Sequence, residues 1–375
     1  MNQIFLGISR HAGLVLVAAV MFTAPARAAI TVGSWDEIFS GIDHATGYAD
    51  SAEPRLQKVN CLRIDLSSNI EFFATPHNGS DETMTEKTGD FLMSNDLQVA
   101  INANFFSPWS SSWEYSYETN PLGAVVSQGN VVSPSQSAYE ELKISQTNTA
   151  WFNTSPPASL DDAWTAVAGH PVLVLDGVVQ PSAGGDAHPR TAVGISQNDR
   201  YLYMMTIDGR QTGVSEGATY KETADWLVRF GSYNGLNLDG GGSTTMAMDD
   251  GQGGYDLLNV PVGRNSIPGA ERWNGSNIGV RVVPIAGDAN LDGMVNVSDA
   301  TILAANWQRM GDATWSDGDF NGDGNVNDFD ATVMATNWQA GVSATATVPE
   351  PSVLVILACA GFCLLACRRG ACKMD

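Results

Sequence analysis

A twelve-residue pattern that occurs twice, 31 residues apart, constrains this chain more than any other feature. The first copy runs from Asp288 to Asp299 and the second from Asp319 to Asp330. Positions 1, 3, 5, 9 and 12 carry oxygen side chains, position 6 is glycine, and position 7 is left to a backbone carbonyl. The residues are Asp288, Asn290, Asp292, Met294, Asn296 and Asp299, then Asp319, Asn321, Asp323, Asn325, Asn327 and Asp330. Alternate side chains converging from a loop that bends at glycine are suited to wrapping a hard cation such as Ca2+. A helix-like segment follows each loop, Ala300–Gln308 and Ala331–Gln339, and both end in Asn-Trp-Gln. Between Gly287 and Gln339 there are nine Asp, no Glu and one basic residue, Arg309. A unit this small has little core, and its carboxylates repel when bare. Its folding is therefore expected to be coupled to two bound Ca2+ ions.

Two loop-helix units with Asp at position 12 resemble a type I dockerin, a small all-α calcium-binding domain. The resemblance implies a cohesin-bearing partner, selected in part by positions 10 and 11. These are Val297-Ser298 in one copy and Asp328-Phe329 in the other. The inequality argues against symmetric dual-mode binding.

The two ends of the chain concern location. Met1 to Ala28 contains Arg10, an apolar run from Ala12 to Phe22 and the small-x-small triplet Ala26-Arg27-Ala28, which reads as a secretory signal peptide. At the far end Val348-Pro349-Glu350-Pro351 precedes an apolar run from Val353 to Cys367 and then Arg368-Arg369. That run is shorter than the ~20 residues of a comfortable membrane span, and the arginines hold their end on the cytoplasmic side. The three-part tail, 349–375, resembles the PEP-CTERM sorting signal of Gram-negative bacteria. The resemblance implies a sorting enzyme of the exosortase type as partner. It also implies an exported protein, at the cell surface or outside the cell, held transiently or permanently by a C-terminal hydrophobic anchor. Gly370 to Asp375 beyond the arginines keeps an ordinary membrane anchor as the alternative. Cys359, Cys363, Cys367 and Cys372 all belong to this end, so Cys61 is alone in the body and no disulfide framework exists there. Cys61 lies in a strand-like run and reads as a small buried hydrophobe. A net charge of −22 leaves no basic stripe for phosphate backbones and argues against nucleic acid.

Residues 29–286 remain as one body, followed by the repeat pair at 287–340 and a linker at 341–348. The body is long enough for a sizeable core. Strand-like runs dominate: Lys58–Leu66, Gln98–Phe106, Ala124–Val132, Pro171–Leu175, Thr191–Ser196, Tyr201–Asp208, Leu236–Leu238 and Asn277–Pro284. A helix fits Ala218–Gly231, with Ala224, Leu227 and Val228 on one face. Strands outnumber helices without alternating with them, so the expected class is α+β with a mixed β-sheet.

Within this body Leu236-Asn237-Leu238 runs into Asp239-Gly240-Gly241-Gly242-Ser243-Thr244-Thr245-Met246. Three glycines are costly in backbone entropy, and are justified where the chain turns sharply or approaches a ligand closely. Other polar clusters fall at strand ends: Asn102-Ala103-Asn104, Gly169-His170-Pro171, His188-Pro189-Arg190-Thr191-Ala192-Val193-Gly194, Asp208-Gly209-Arg210, Gly263-Arg264 and Glu271-Arg272. In this order, from about Leu62 to Val283, the blocks resemble the phosphodiester glycosidase family. The resemblance implies a carbohydrate phosphodiester substrate, such as an N-acetylglucosamine-1-phosphodiester in a glycan or glycolipid. It is hydrolysed at the anomeric carbon to free sugar and phosphomonoester, with no catalytic cofactor.

The residues allow a physical account of such a reaction. A phosphomonoester leaves readily, so the greater need is to hold the anion and stabilise an oxocarbenium-like centre. Asp239 and Asp208 are the candidates for nucleophile or base, and Arg190 has the planar fork for phosphate oxygens. Gly240, Gly241 and Gly242 offer an anion nest or a surface for the sugar. Asn102, Asn104, His188 and Ser243 complete the candidate binding set. Rival readings stand beside these: an ion pair from Arg190 to either aspartate, a hairpin turn at Asp208, and strand-end caps at Asn102 and Asn104. The aromatic loop Ser107–Pro121, with Trp109, Trp113, Tyr115 and Tyr117, either meets sugar rings or anchors itself. A non-catalytic glycan-binding protein and a dockerin-mediated scaffold component are the alternative functions.

Overall fold

The computed structural model describes residues 30–50, 55–180 and 185–341. The signal segment, nearly all of the 341–348 linker, the sorting tail and its hydrophobic anchor lie outside these residues. Among the described residues no helix is long and apolar enough to cross a membrane.

Central strands apolar on both faces, with alternate side chains entering different cores, build a layered β body. In Tyr201–Ile207, Leu202 and Met204 point into one core while Tyr203, Met205 and Ile207 point into another. Gln57–Asp65 divides in the same way, with Leu62 and Ile64 on one side and Val59 and Cys61 on the other. These strands are central in a nine-stranded sheet whose order is Ile30–Val32, Ile42–Ala49, Gln57–Asp65, Tyr201–Ile207, Arg190–Ser196, Ser232–Asn237, Val172–Leu175 and Val178–Val179. Asp36–Phe39 pairs with Ile42–Ala49 as the ninth strand. One face carries the helix Tyr220–Phe230, and the other packs on two five-stranded sheets. The first of these joins Met246–Asp249, Val99–Asn102, Asn277–Val282 and Ile70–Ala74, with Tyr255–Leu257 at its edge. The second centres on Thr165–Gly169 and Glu140–Ile144. Cys61 is fully buried, as expected, and burial pushes its thiol pKa well up.

The strand-rich composition with few helices agrees with α+β, but the expected mixed sheet is corrected: the described strands all pair antiparallel. The reason is topological. A helical crossover does join Tyr201–Ile207 to Ser232–Asn237, as a parallel connection requires, yet Arg190–Ser196 lies between the two strands and pairs antiparallel with each.

Four helices are described. The first, α1, is Thr88–Ser94 and covers the back of the Val99–Asn102 sheet with Phe91 and Leu92. The second, α2, is Tyr220–Phe230; a Thr219–Glu222 capping box starts it and Gly231, at φ +110°, ends it. Its buried face uses Ala224, Trp226, Leu227 and Phe230. Val228, expected on that face, is exposed. The repeat pair contributes α3, Val297–Ala305, and α4, Asp328–Thr336. Both begin earlier than hydrophobic periodicity suggests, because Asn296 and Asn327 cap them with Asp299 and Asp330 closing the boxes. The copies exchange backbone bonds: Gln308 N–H donates to Val326 O and Gln339 N–H to Val295 O, both at 2.9 Å.

Candidate active site

The glycine turn crosses from the large sheet to the Val99–Asn102 sheet, and a network of backbone and side-chain bonds fixes where it crosses. Asp239 N–H donates to Ala103 O at 2.9 Å and Leu238 N–H to Thr191 O at 2.9 Å. Asn102 sits beneath the turn. Its amide donates to Asp239 O at 2.7 Å, and its carbonyl oxygen accepts from Thr191 Oγ1 at 2.7 Å and Thr245 N–H at 3.1 Å. One buried side chain thus ties both sheets to the turn.

Each glycine of the run answers a different steric demand. A Cβ on Gly240 would stand 2.7 Å from Pro189 O. Gly241 has φ +63°, and its Cβ would meet Arg210 Nη2 at 2.9 Å. A Cβ on Gly242 would collide with the guanidinium of Arg272. Without side chains at Gly241 and Gly242, the guanidinium groups of Arg210 and Arg272 close over the turn where they stand.

Above the turn lies a cleft of about 640 Å3, where Asp239 meets Arg210 and Arg272 between walls that include Trp109, Tyr139 and Tyr220. Burial pushes the Asp239 carboxyl up to about 6, opposed by the Ser243 hydrogen bond, the charge of Arg272 and the Gly240 N–H. The carboxylate is thus ionised at neutral pH but poised close to titration. Arg272 is itself held down from its usual pKa by burial, with Asp239 opposing and Arg210 reinforcing the shift. Its Nη1 donates to Ser243 Oγ at 3.3 Å, and its Nε is shielded from solvent without an acceptor.

Of the expected site residues, Asp239 and Gly240–Gly242 line this cleft, with Ser243 buried directly beneath Arg272. Gly241 N–H donates to Pro189 O at 2.8 Å and Ser243 N–H to Gly240 O at 3.2 Å, so part of the supposed anion nest is used by the turn itself. Asp208 and Arg190 are not among the lining residues. Asp208 is buried, with its carboxylate accepting from Asn259 Nδ2 at 3.1 Å and Val260 N–H at 3.0 Å; burial raises its pKa. Arg190 donates through Nε to Ala218 O and through Nη2 to Asp186 O, both at 2.9 Å, and lies 4.1 Å from the centre of the Tyr220 ring. Neither expected ion pair forms from Arg190. His188 pairs its backbone with Ala218, away from the lining, and burial followed by the charges of Arg190 and Arg210 lowers its pKa. Asn104 is spent on structure as well: its amide donates to Leu122 O and Ala124 O, and its oxygen accepts from Ala168 N–H, all at 3.1 Å.

The duplicated loops close on themselves through their first and last carboxylates. Asp288 Oδ2 accepts from Gly293 N–H and Asp319 Oδ2 from Gly324 N–H, both at 2.8 Å, with the two glycines at φ +80° and +81°. Asp299 and Asp330, fully buried, each accept two loop N–H groups and the N–H of their own cap. Burial followed by the charges of Asp299 and Asp292 raises the pKa of Asp288. Buried, mutually repelling carboxylates in an oxygen-only loop fit a hard cation. No group of three or more His, Cys, Asp or Glu side chains converges among the described residues, so Asn and backbone oxygens must supply much of any ligand set.

Residues 95–281 match the family model of the phosphodiester glycosidases. Residues 286–337 match the dockerin type I domain. Among solved structures the chain is similar to the zebrafish N-acetylglucosamine-1-phosphodiester α-N-acetylglucosaminidase catalytic domain auto-inhibited by its pro-peptide, at 18% identity over 68% of this chain and 87% of that one, TM-score 0.49. It is similar to a hypothetical protein from Synechocystis, at 17% identity over 69% of this chain and 64% of that one, TM-score 0.48. A putative exported protein from Burkholderia pseudomallei follows, at 13% identity over 68% and 97%, TM-score 0.49. The chain thus spans just under two thirds of the Synechocystis protein. No curated protein matches the sequence. The family match supports a hydrolase of the phosphodiester glycosidase type.

Four further residues line the cleft: Arg210, Arg272 and His170, which were not among the candidate site residues, and Trp109 from the aromatic loop. Arg210 and Arg272 stand in the polar clusters Asp208-Gly209-Arg210 and Glu271-Arg272, where sequence alone sets neither arginine apart as a site residue. His170 lines the cleft with Nδ1 3.1 Å from Glu140 Oε2. Trp109 forms part of the wall, and Arg272 lies 5.0 Å from the centre of its ring.

Proposed function

We propose that the protein is an exported hydrolase that cleaves sugar-1-phosphodiesters to free sugar and phosphomonoester. One observation carries this reading: a glycine run admits Arg210 and Arg272 to the turn that presents Asp239. Two guanidinium groups suit a phosphodiester anion and the more highly charged phosphomonoester that leaves. Asp239, ionised above about pH 6, faces the developing positive charge at the anomeric carbon as nucleophile or base. With an anionic leaving group held by two arginines, protonation of the departing oxygen contributes little. Asp208, Arg190, Asn102 and Asn104 take supporting parts, and His188 borders the segment that positions Arg190. The sugar, an N-acetylglucosamine or a relative in a glycan or glycolipid, contacts the Gly240–Gly242 backbone and the aromatic walls.

The dockerin-like pair is proposed to hold two Ca2+ ions and to recruit a cohesin-bearing partner. Val297 and Phe329, at positions 10 and 11 of different copies, are 70% and 66% exposed, which favours assembly as a second function compatible with the first. Export by the signal segment and handling of the tail by an exosortase-type enzyme complete the proposal, with the cell surface or the medium as destination.

The test is release of sugar from a panel of sugar-1-phosphodiesters by the full chain, detecting free sugar and phosphomonoester by mass. Both products in equal amounts are expected. Binding of the panel without turnover would instead favour the glycan-binding alternative.

A further inference from the structure

Trp109 is a large apolar side chain left 60% exposed, and its surroundings hold it in place. Pro108 O accepts from Thr119 Oγ1 at 2.8 Å on one side of it, and Ser110 N–H donates to Tyr117 Oη at 3.0 Å on the other. Trp113 then packs edge-on against Tyr117, with ring centres 4.4 Å apart. The same segment is tied to the turn-rich loop that leads to Arg272: Asn265 N–H donates to Ser111 O at 3.0 Å, and Arg264 pairs with Glu114. The result is an indole on an anchored backbone, whose face meets the Arg272 guanidinium 5.0 Å away.

Arg272 needs such a support. Protein acceptors engage it weakly, through a long bond to Ser243 Oγ and with Nε unpartnered. A guanidinium on a four-bond stem keeps many rotamers unless something restricts it. Packing by Gly242 restricts it from below and the indole from the cleft wall.

We propose that Trp109 is a positioning residue, whose exposed indole holds Arg272 over the Asp239 turn so that an oxyanion meets the arginine in one place. This rests on the hydrolase reading for its catalytic consequence, though not for the anion contact itself. The groups facing the Asp239 carboxyl are Arg272, Ser243 and the Gly240 N–H, while Arg210 and Tyr117 act on Arg272. Loosening Arg272 weakens the positive charge at Asp239, so the acid limb of activity moves to higher pH.

The experiment compares the full chain with Trp109→Ala, Trp109→Phe and Trp113→Ala by titration with inorganic phosphate. In parallel, the pH profile of kcat/KM is taken on an N-acetylglucosamine-1-phosphate methyl diester. The expected result is phosphate binding about fivefold weaker in Trp109→Ala, as loss of an exposed cation–π contact implies. An upward shift of the acid limb should accompany it, both effects should be largely restored in Trp109→Phe, and Trp113→Ala, which unpacks Tyr117 beside the Trp109 backbone, should show a smaller change of the same sign. Phosphate binding unchanged in Trp109→Ala overturns the proposal. Phosphate binding by wild type without any turnover defeats the hydrolase reading alone, and the titration still decides the role of Trp109. A wild type that binds no phosphate defeats both.

Discussion

Replacing Asp239 by Asn should remove activity while making the protein more stable at neutral pH. The carboxyl pKa rises from an ordinary 3.8 to about 6 in the fold, chiefly through burial. A difference of roughly two pH units corresponds to ~3 kcal/mol of preference for the protonated form. Partial exposure of the residue to water reduces the expected effect to about 1–2 kcal/mol. The sign follows from linkage. Between the unfolded and folded pKa values the native state holds a proton that the unfolded chain has lost, so this stabilisation is present below about pH 4 and gone above about pH 6. Asn mimics the neutral acid and keeps its contribution at every pH. The assay is thermal unfolding of both full chains from pH 4 to 8 in constant calcium, where titration of the acidic loops cancels in the difference. The variant should melt several degrees higher at pH 8, at about 2–4 °C per kcal/mol for a domain of this size, with the gap closing towards pH 4. A variant less stable than wild type at pH 8, or a gap independent of pH, refutes the burial argument.

Other consequences follow from the same geometry. Gly242→Ala places a methyl group against the Arg272 guanidinium; kcat/KM should fall roughly 10- to 100-fold, the loss expected of a charged hydrogen-bonding group, with little change in unfolding. Asn102→Ala orphans the buried Thr191 hydroxyl and Thr245 N–H and frees the Asp239 carbonyl; denaturant melts should show a loss of roughly 3 kcal/mol. The acid limb of kcat/KM should rise through about pH 6, as Asp239 loses its proton. Removing calcium with a chelator should melt α3 and α4, read as lost helical circular dichroism, while the larger β body unfolds at an unchanged temperature.

Legibility in the sequence tracked locality. The duplicated loops were legible because each is a self-contained spacing, and glycine at position 6 does adopt a left-handed φ in both copies. Gln57–Asp65, Arg190–Ser196 and Tyr201–Ile207 match the expected strands within a residue, since two-sided burial leaves continuous apolar runs, whereas Ser232–Asn237 is legible only at its apolar end and the mixed sequences of Glu140–Ile144 and Thr165–Gly169 give no strand signal. The helix starts in the repeat were misplaced because Asn296 and Asn327 cap polar first turns that carry no hydrophobic period. Asp208 and Asp239 look alike in sequence, each followed by glycine. What separates them is distant: Asn259 and the Val260 N–H claim the Asp208 carboxylate, while Arg272 comes to Asp239 from another loop. The same holds for Arg190, whose acceptors are carbonyls at Asp186 and Ala218. Parallel or antiparallel pairing was equally hidden, because it depends on which strand inserts beside which.

The central claim is that Asp239 acts as a carboxylate on a sugar-1-phosphodiester beside two arginines. Its most direct measurement is the rate of sugar release from an N-acetylglucosamine-1-phosphodiester by full-length wild type beside Asp239→Asn, both verified as folded. The account predicts release by wild type and a loss of about a thousandfold or more in the variant, the scale of removing an essential nucleophile or base. Equal release by the two chains would contradict it.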